Sequence, residues 1–327
     1  MKRRLGLTDI ELSPIGQGCW QFAQGKGFTG SVWATLDQNQ IDAVVRASLE
    51  GGVTWFDTAE VYGGGQSERA LSTALNHLGV TPGEVVIATK WLPIPRTAHN
   101  ITRTIERRLS ALQGYPIDLY QVHQPWSFSS IAAQMRAMAR LVQEQKIRCV
   151  GVSNFSAEQM RTANAALAAE GIPLASNQVS ISLLDRRIET NGVLQMAKRL
   201  GVSLIAYSPL AQGVLTGRFH EDPEAARALP FGRRSRLSPA SRAHSAAALA
   251  RSAPLIDELR AVARAHGATV AQVALAWLIA HYGDTVVAIP GATRPEQAAE
   301  NAQAMHLTLT ELEMTRIGEA SLSAAKL

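Results

Sequence analysis

Short apolar runs and helix-patterned segments take turns along this chain, and that alternation restricts its fold more than any other feature of the sequence. Strand-like runs fall near residues 15–18, 53–56, 85–89, 118–122, 148–151, 175–179, 202–206 and 286–289. Helical patterns fall between them, near 40–51, 67–78, 99–112, 129–145, 156–169 and 190–200. Eight strands with helices in between predict an α/β fold of the (β/α)8 TIM-barrel type rather than an open sheet. Ahead of the first run, Arg3-Arg4-Leu5, Gly6 and Ile10-Glu11-Leu12 read as a short N-terminal hairpin that plugs the barrel bottom. Only residues 210–254 break the rhythm, with Gly213, Gly217, Pro223, Pro230, Gly232, Pro239 and Pro254, and they read as a long loop. Within it the alanine-rich tract 243–253 reads as helical.

A chain of 327 residues, 46% of them hydrophobic, is large enough for one such barrel. No Pro/Ser-rich linker or charge block divides it, so residues 1–327 are expected to form a single domain. The formal charge of +5 is modest, and no aromatic residues interleave with Lys2-Arg3-Arg4 or Arg107-Arg108, so no nucleic-acid partner is expected. Cys19 and Cys149 stand alone, without metal-ligand spacing, which predicts a reducing compartment and no metal site. No apolar run approaches the ~20 residues of a membrane span, and the N-terminus has no apolar leader core. The expectation is a cytoplasmic protein without a membrane partner, a monomer or a small homo-oligomer.

The chemistry is concentrated at strand ends. The second run ends in Asp57, and Tyr62 follows in a loop closed by Gly63-Gly64-Gly65. A phenol is a useful proton donor when something lowers its pKa from about 10, and a nearby ammonium does so by favouring phenolate. The third run ends in Lys90, and the fourth is followed by His123. In a parallel barrel these strand ends meet on the face that carries catalysis. In this order and setting, Asp57, Tyr62, Lys90 and His123 resemble the catalytic tetrad of the aldo-keto reductases. The resemblance extends from Gly16 to Asn301 through about nine stretches in order.

That resemblance implies a nicotinamide cofactor and supplies candidates for holding it. Val152-Ser153-Asn154-Phe155, Asn177-Gln178 and Tyr207-Ser208-Pro209-Leu210 are similar to the family's nicotinamide-binding elements. Ser153, Asn154 and Gln178 would bind the carboxamide, and Tyr207 would stack on the ring. Gln212-Gly213 through Gly217-Arg218 would pass over the pyrophosphate. After the last strand, Gly291-Ala292-Thr293-Arg294 leads to Pro295 at a helix start, the usual phosphate position in barrels, with Gln297, Glu300 and Asn301 following. Arg294 could pair with a 2′-phosphate in bidentate fashion, which favours NADPH/NADP+ over NADH. Arg234 and Arg236, in the basic cluster Arg233-Arg234-Arg236, are weaker candidates for the same phosphate, a solvated loop being the simpler reading. The GxGxxG of Gly25, Gly27 and Gly30 is set aside, because no strand precedes it and no helix follows it.

The implied reaction is hydride transfer to the carbonyl of a small aldehyde or ketone. Tyr62 would give the proton, Lys90 would tune it, Asp57 would hold Lys90, and His123 would orient the carbonyl. Trp20, Trp91 and Trp126 are the candidates for the substrate pocket, with Phe22, Phe28 and Trp33 near its mouth. After His123 the chain reads Gln124-Pro125-Trp126 where many relatives carry an acidic residue, so substrate preference is open. Two other readings compete: a Schiff-base Lys90 in an aldolase-like barrel, and an NADPH-binding regulatory or redox-sensing subunit with little turnover.

Overall fold

The computed structural model describes residues 2–25, 35–222, 224–225, 229 and 244–325. Eight parallel strands form one sheet in the order of the chain: β3 (Gln17–Gly18), β4 (Trp55–Asp57), β5 (Val86–Trp91), β6 (Ile117–Val122), β7 (Ile147–Ser153), β8 (Leu174–Ser180), β9 (Ser203–Tyr207) and β10 (Val286–Ala288). Parallel bridges Ile15–Ala288 and Gly18–Gly291 join the first strand to the last and close the barrel. The hairpin β1 (Arg3–Arg4) and β2 (Glu11–Leu12) precedes it.

Two apolar layers follow from the period-2 alternation of the strands. Trp55, Ala88, Leu119, Cys149, Ile205 and Val287 face inward, where Leu5, Ile10 and Leu12 of the hairpin meet them, so the hairpin does plug the barrel. Their neighbours Phe56, Ile87, Tyr120, Val150 and Leu204 face outward against the helices. Burying a side chain of this size stabilises by roughly 1.5–3 kcal/mol.

Among the described strands the alternation is broken once. Between β7 and β8 the register shifts, so that Val150 pairs with Leu174 but Gly151 pairs with Ser176. Ala175 is thus an extra residue on β8, and such an insertion reverses which side chains point inward beyond it. Gln178 consequently faces the barrel interior, while Asn177 turns out to bond the backbone of Phe155.

The helices begin where the sequence carries caps. Asp37 with Gln40, Ser156 with Gln159 and Thr269 with Gln272 form capping boxes for helices Gln38–Glu50, Ala157–Ala168 and Val270–Tyr282. The 210–254 segment is less of a loop than its prolines suggest. Short helical turns occupy Ala211–Thr216 and Arg218–Glu221, and helix Ala246–His266 runs straight through Pro254. Pro254 lies on the exposed face, whereas Leu249, Leu255, Ile256 and Leu259 are buried, so packing outweighs the lost backbone bond. Gly27, Phe28, Gly30, Trp33, Arg233, Arg234 and Arg236 lie outside the described residues. Among the described residues no single helix is long and apolar enough to cross a membrane.

Candidate active site

Asp57 and Lys90 are inward residues at the C-terminal ends of β4 and β5, and both are buried. The Lys90 ammonium donates to Asp57 Oδ1 and, at 2.8 Å, to the Thr58 carbonyl. Asp57 Oδ2 accepts from Gln121 Nε2 at 3.1 Å and from Gln178 Nε2 at 2.9 Å. Both carboxylate oxygens are therefore committed. Burial pulls the Lys90 pKa down, but Asp57 and Tyr62 outweigh it, and the net direction is upward. An amine held charged in this way has no free electron pair, which counts against a Schiff-base role.

Above this pair stands Tyr62, its ring centroid 5.3 Å from Lys90 Nζ. The turn that brings it there uses Gly63, Gly64 and Gly65 at φ of 66°, 65° and 88°, a left-handed run that only glycines accept without strain. Trp20 stacks on Tyr62 with centroids 5.7 Å apart, and His123 meets it edge-on at 5.9 Å. Burial raises the Tyr62 pKa, Lys90 lowers it and Asp57 raises it again; the net is above the ordinary 10.0. Lys90 thus acts in the expected direction, but burial prevails and the phenol stays protonated at neutral pH. Burial and the Lys90 charge push His123 down to about 3, so its imidazole is neutral, and its Nδ1 is buried without a hydrogen-bond partner.

These three rings open onto a pocket of about 1440 Å³ along the C-terminal face. Ser153, Asn154, Gln178 and Tyr207 line it as one network. Ser153 Oγ donates to the Gln178 carbonyl at 2.9 Å, Asn154 Nδ2 to Ser153 Oγ at 3.1 Å, and the Tyr207 hydroxyl to Asn154 Oδ1 at 2.9 Å. Ser208, Pro209, Leu210, Gln212, Gly213 and Arg218 continue the wall. Asn154, Ser208, Ala211 and Gln212 hold φ of 63°, 50°, 48° and 59°, so left-handed non-glycine residues concentrate on this wall. At the far end Gly291, Ala292, Thr293, Arg294, Gln297, Glu300 and Asn301 line the pocket around the start of helix Pro295–Gln303. No side chain caps that helix start, and the buried Asn301 Nδ2 has no partner. Unused donors, a helix N-terminus and the exposed Arg294 make a donor set suited to a phosphate-bearing dinucleotide. Gly291 also leaves room for Gln21: a Cβ there would stand 2.1 Å from the Gln21 amide and force that side chain to move.

Besides the buried Asp57 and Lys90, three predicted residues are not on the pocket wall. Trp91 follows Lys90 on β5, so when the lysine points in, the tryptophan points out; it is fully buried against the helices, its indole donating to Asn100 Oδ1 at 3.0 Å. Leu92 lines the pocket at that corner instead. Trp126 is 66% exposed and stands away from the lining. Gly217 is a buried left-handed link between two helical turns, its carbonyl accepting from Arg260 at 3.2 Å. Sequence reasoning missed Gln121, which holds Asp57, and Gln21, which lines the pocket beside Gly291; for Gln121 the signal was available, two residues before His123 on the face shared with Leu119.

A family model described as "Aldo/keto reductase family" matches residues 14–321. An uncharacterized oxidoreductase of Mycobacterium tuberculosis is 40% identical over 309 residues, covering 92% of this chain and 86% of that protein. The fold is similar to that of a thermostable aldo-keto reductase solved with the inhibitor epalrestat, with TM-score 0.76 and 28% identity, covering 98% of this chain and 99% of that one. It is also similar to an aldo/keto reductase from Klebsiella pneumoniae solved with NADP and acetate, with TM-score 0.72 and 28% identity over 97% of this chain and 94% of the other. With a barrel of eight parallel strands and a family match across nearly its whole length, this chain belongs to the aldo/keto reductase family of oxidoreductases.

Proposed function

We propose that the protein, acting as a single barrel domain, reduces a small aldehyde or ketone to an alcohol with NADPH. When bound, the nicotinamide supplies the hydride that the carbonyl carbon accepts. Ser153, Asn154 and Gln178 bind the carboxamide, Tyr207 backs the ring, and the helix start beside Arg294 binds the phosphate end. Tyr62 gives its hydroxyl proton to the carbonyl oxygen, and the ammonium of Lys90 stabilises the phenolate left behind. Asp57 keeps that ammonium charged and fixed in place. His123, neutral through the physiological range, donates a hydrogen bond to the same oxygen and orients it. Trp20 and Leu92 form the apolar side of the substrate pocket and exclude water.

The observation that carries this reading is the position of Tyr62, over the buried Lys90–Asp57 pair and at the floor of the large pocket. NADPH oxidation followed with 4-nitrobenzaldehyde tests it. Turnover with NADPH, and weaker turnover with NADH, is the expected result. Binding of NADPH without turnover of this or any carbonyl in a broad panel would favour the regulatory reading, and binding of neither nucleotide would refute the assignment.

A further inference from the structure

A second cleft, of about 730 Å³, opens on the outer side of the barrel between helices Gln66–His77 and His99–Ala111. Its walls carry four guanidinium groups, Arg69, Arg96, Arg107 and Arg108, against two carboxylates, Glu60 and Glu106. Glu106 is engaged outside, with Lys146 at 2.9 Å. Glu60 binds two of the arginines at once: Oε1 accepts from Arg96 at 2.6 Å and Oε2 from Arg108 at 2.7 Å. Arg108, itself buried, also pairs with the buried Glu68 at 2.8 Å. Arg69 and Arg107 are exposed and make no ion pair among the described residues. Arg69 and Arg108 approach the same point, with nitrogens 3.6 and 3.1 Å from where a Cβ on Gly65 would stand, and Glu68 Oε2 shares it at 3.3 Å.

We infer that this cleft binds a small, multiply charged oxyanion of the phosphate-bearing class, held by Arg69 and Arg107 at its mouth and Arg96 and Arg108 at its floor. Guanidinium forks match phosphate oxygens bidentately, and although Glu60 and Glu68 offset Arg96 and Arg108 and Glu68 also attracts Arg69, the cleft keeps an excess of positive charge that favours an anion. The site is distinct from the dinucleotide pocket, which lies on the C-terminal face and shares none of these residues. It is connected to that pocket through Glu60. The Glu60 backbone donates to the Lys90 carbonyl at 3.2 Å, its side chain accepts from the Leu92 backbone at 2.7 Å, and Tyr62 follows two residues later. An anion that draws Arg96 and Arg108 away from Glu60 loosens the loop carrying Tyr62 and lowers turnover. This coupling rests on the proton-donor reading of Tyr62; the binding does not.

Calorimetric titration of the full-length protein, saturated with NADPH so that the dinucleotide pocket is filled, with inorganic pyrophosphate tests the site without any turnover. The expected result is saturable binding, about tenfold weaker in the double variant Arg69→Gln/Arg107→Gln. Arg103→Gln, on the same helix outside the cleft, and Arg294→Gln, in the dinucleotide pocket, should bind as the wild type does. In the carbonyl-reduction assay, pyrophosphate should inhibit the wild type and lose that effect in the double variant. Absence of binding to the wild type, equal loss in Arg103→Gln, or loss confined to Arg294→Gln would overturn the site. Binding that leaves reduction unaffected would overturn the coupling alone.

Discussion

Lys90 shows what a buried charge does here. It is fully enclosed, and its stability depends on Asp57 and the Thr58 carbonyl. Replacing it with methionine leaves the Asp57 carboxyl without its cation in the interior, which should cost about 3–5 kcal/mol. Urea unfolding measures this, and Asp57→Asn added to Lys90→Met should restore part of the loss; additive losses would contradict the pairing. His123 adds a pH dependence of known sign. Its pKa falls from 6.5 unfolded to about 3 folded, so between those values the unfolded chain binds the extra proton. Stability from this group is therefore full above pH 6.5 and drains away as pH falls toward 3. The wild type should lose stability relative to His123→Asn between pH 7 and 4, and a constant difference would show that the ring is not held neutral. The four residues at strand ends were legible in the sequence because strand ends converge in any parallel barrel. Trp91 was misplaced because naming an aromatic near the site ignored the parity that puts it opposite Lys90.

At the scale of elements, what the sequence concealed was local irregularity. An extra residue at Ala175 turns Gln178 inward to Asp57, yet nothing in Leu174-Ala175-Ser176-Asn177 marks a bulge. Likewise Pro254 looks like a helix breaker until the buried face of Ala246–His266 is known. The pocket wall after β9 stores strain for which the sequence gives no hint either. Ala211 holds φ 48°, a conformation costing a non-glycine residue about 1–2 kcal/mol. Ala211→Gly removes that cost but adds freedom to the unfolded chain, worth roughly 0.4–1 kcal/mol the other way. A net gain in stability of up to about 1.6 kcal/mol is expected from thermal unfolding. A clear loss would mean that the alanine methyl packs more strongly than the backbone strains.

Over the whole molecule, the hairpin-plugged interior and the helix-facing layer make a rigid frame, and the chemistry is confined to one end of it. Arg294, proposed to bind phosphate, and Tyr62, proposed to give the proton, line the same pocket although more than two hundred residues separate them. That closure, β3 against β10, is what eight strands in chain order dictate, and it was the most legible property of the sequence. The assignment of proton donation to Tyr62 is the central claim, and Tyr62→Phe tests it most directly. Loss of a general acid should lower kcat for carbonyl reduction by about 10²–10⁴-fold, while NADPH binding, read by fluorescence titration, stays at the wild-type value. Retention of near wild-type turnover by the variant, with the cofactor bound, would contradict the account.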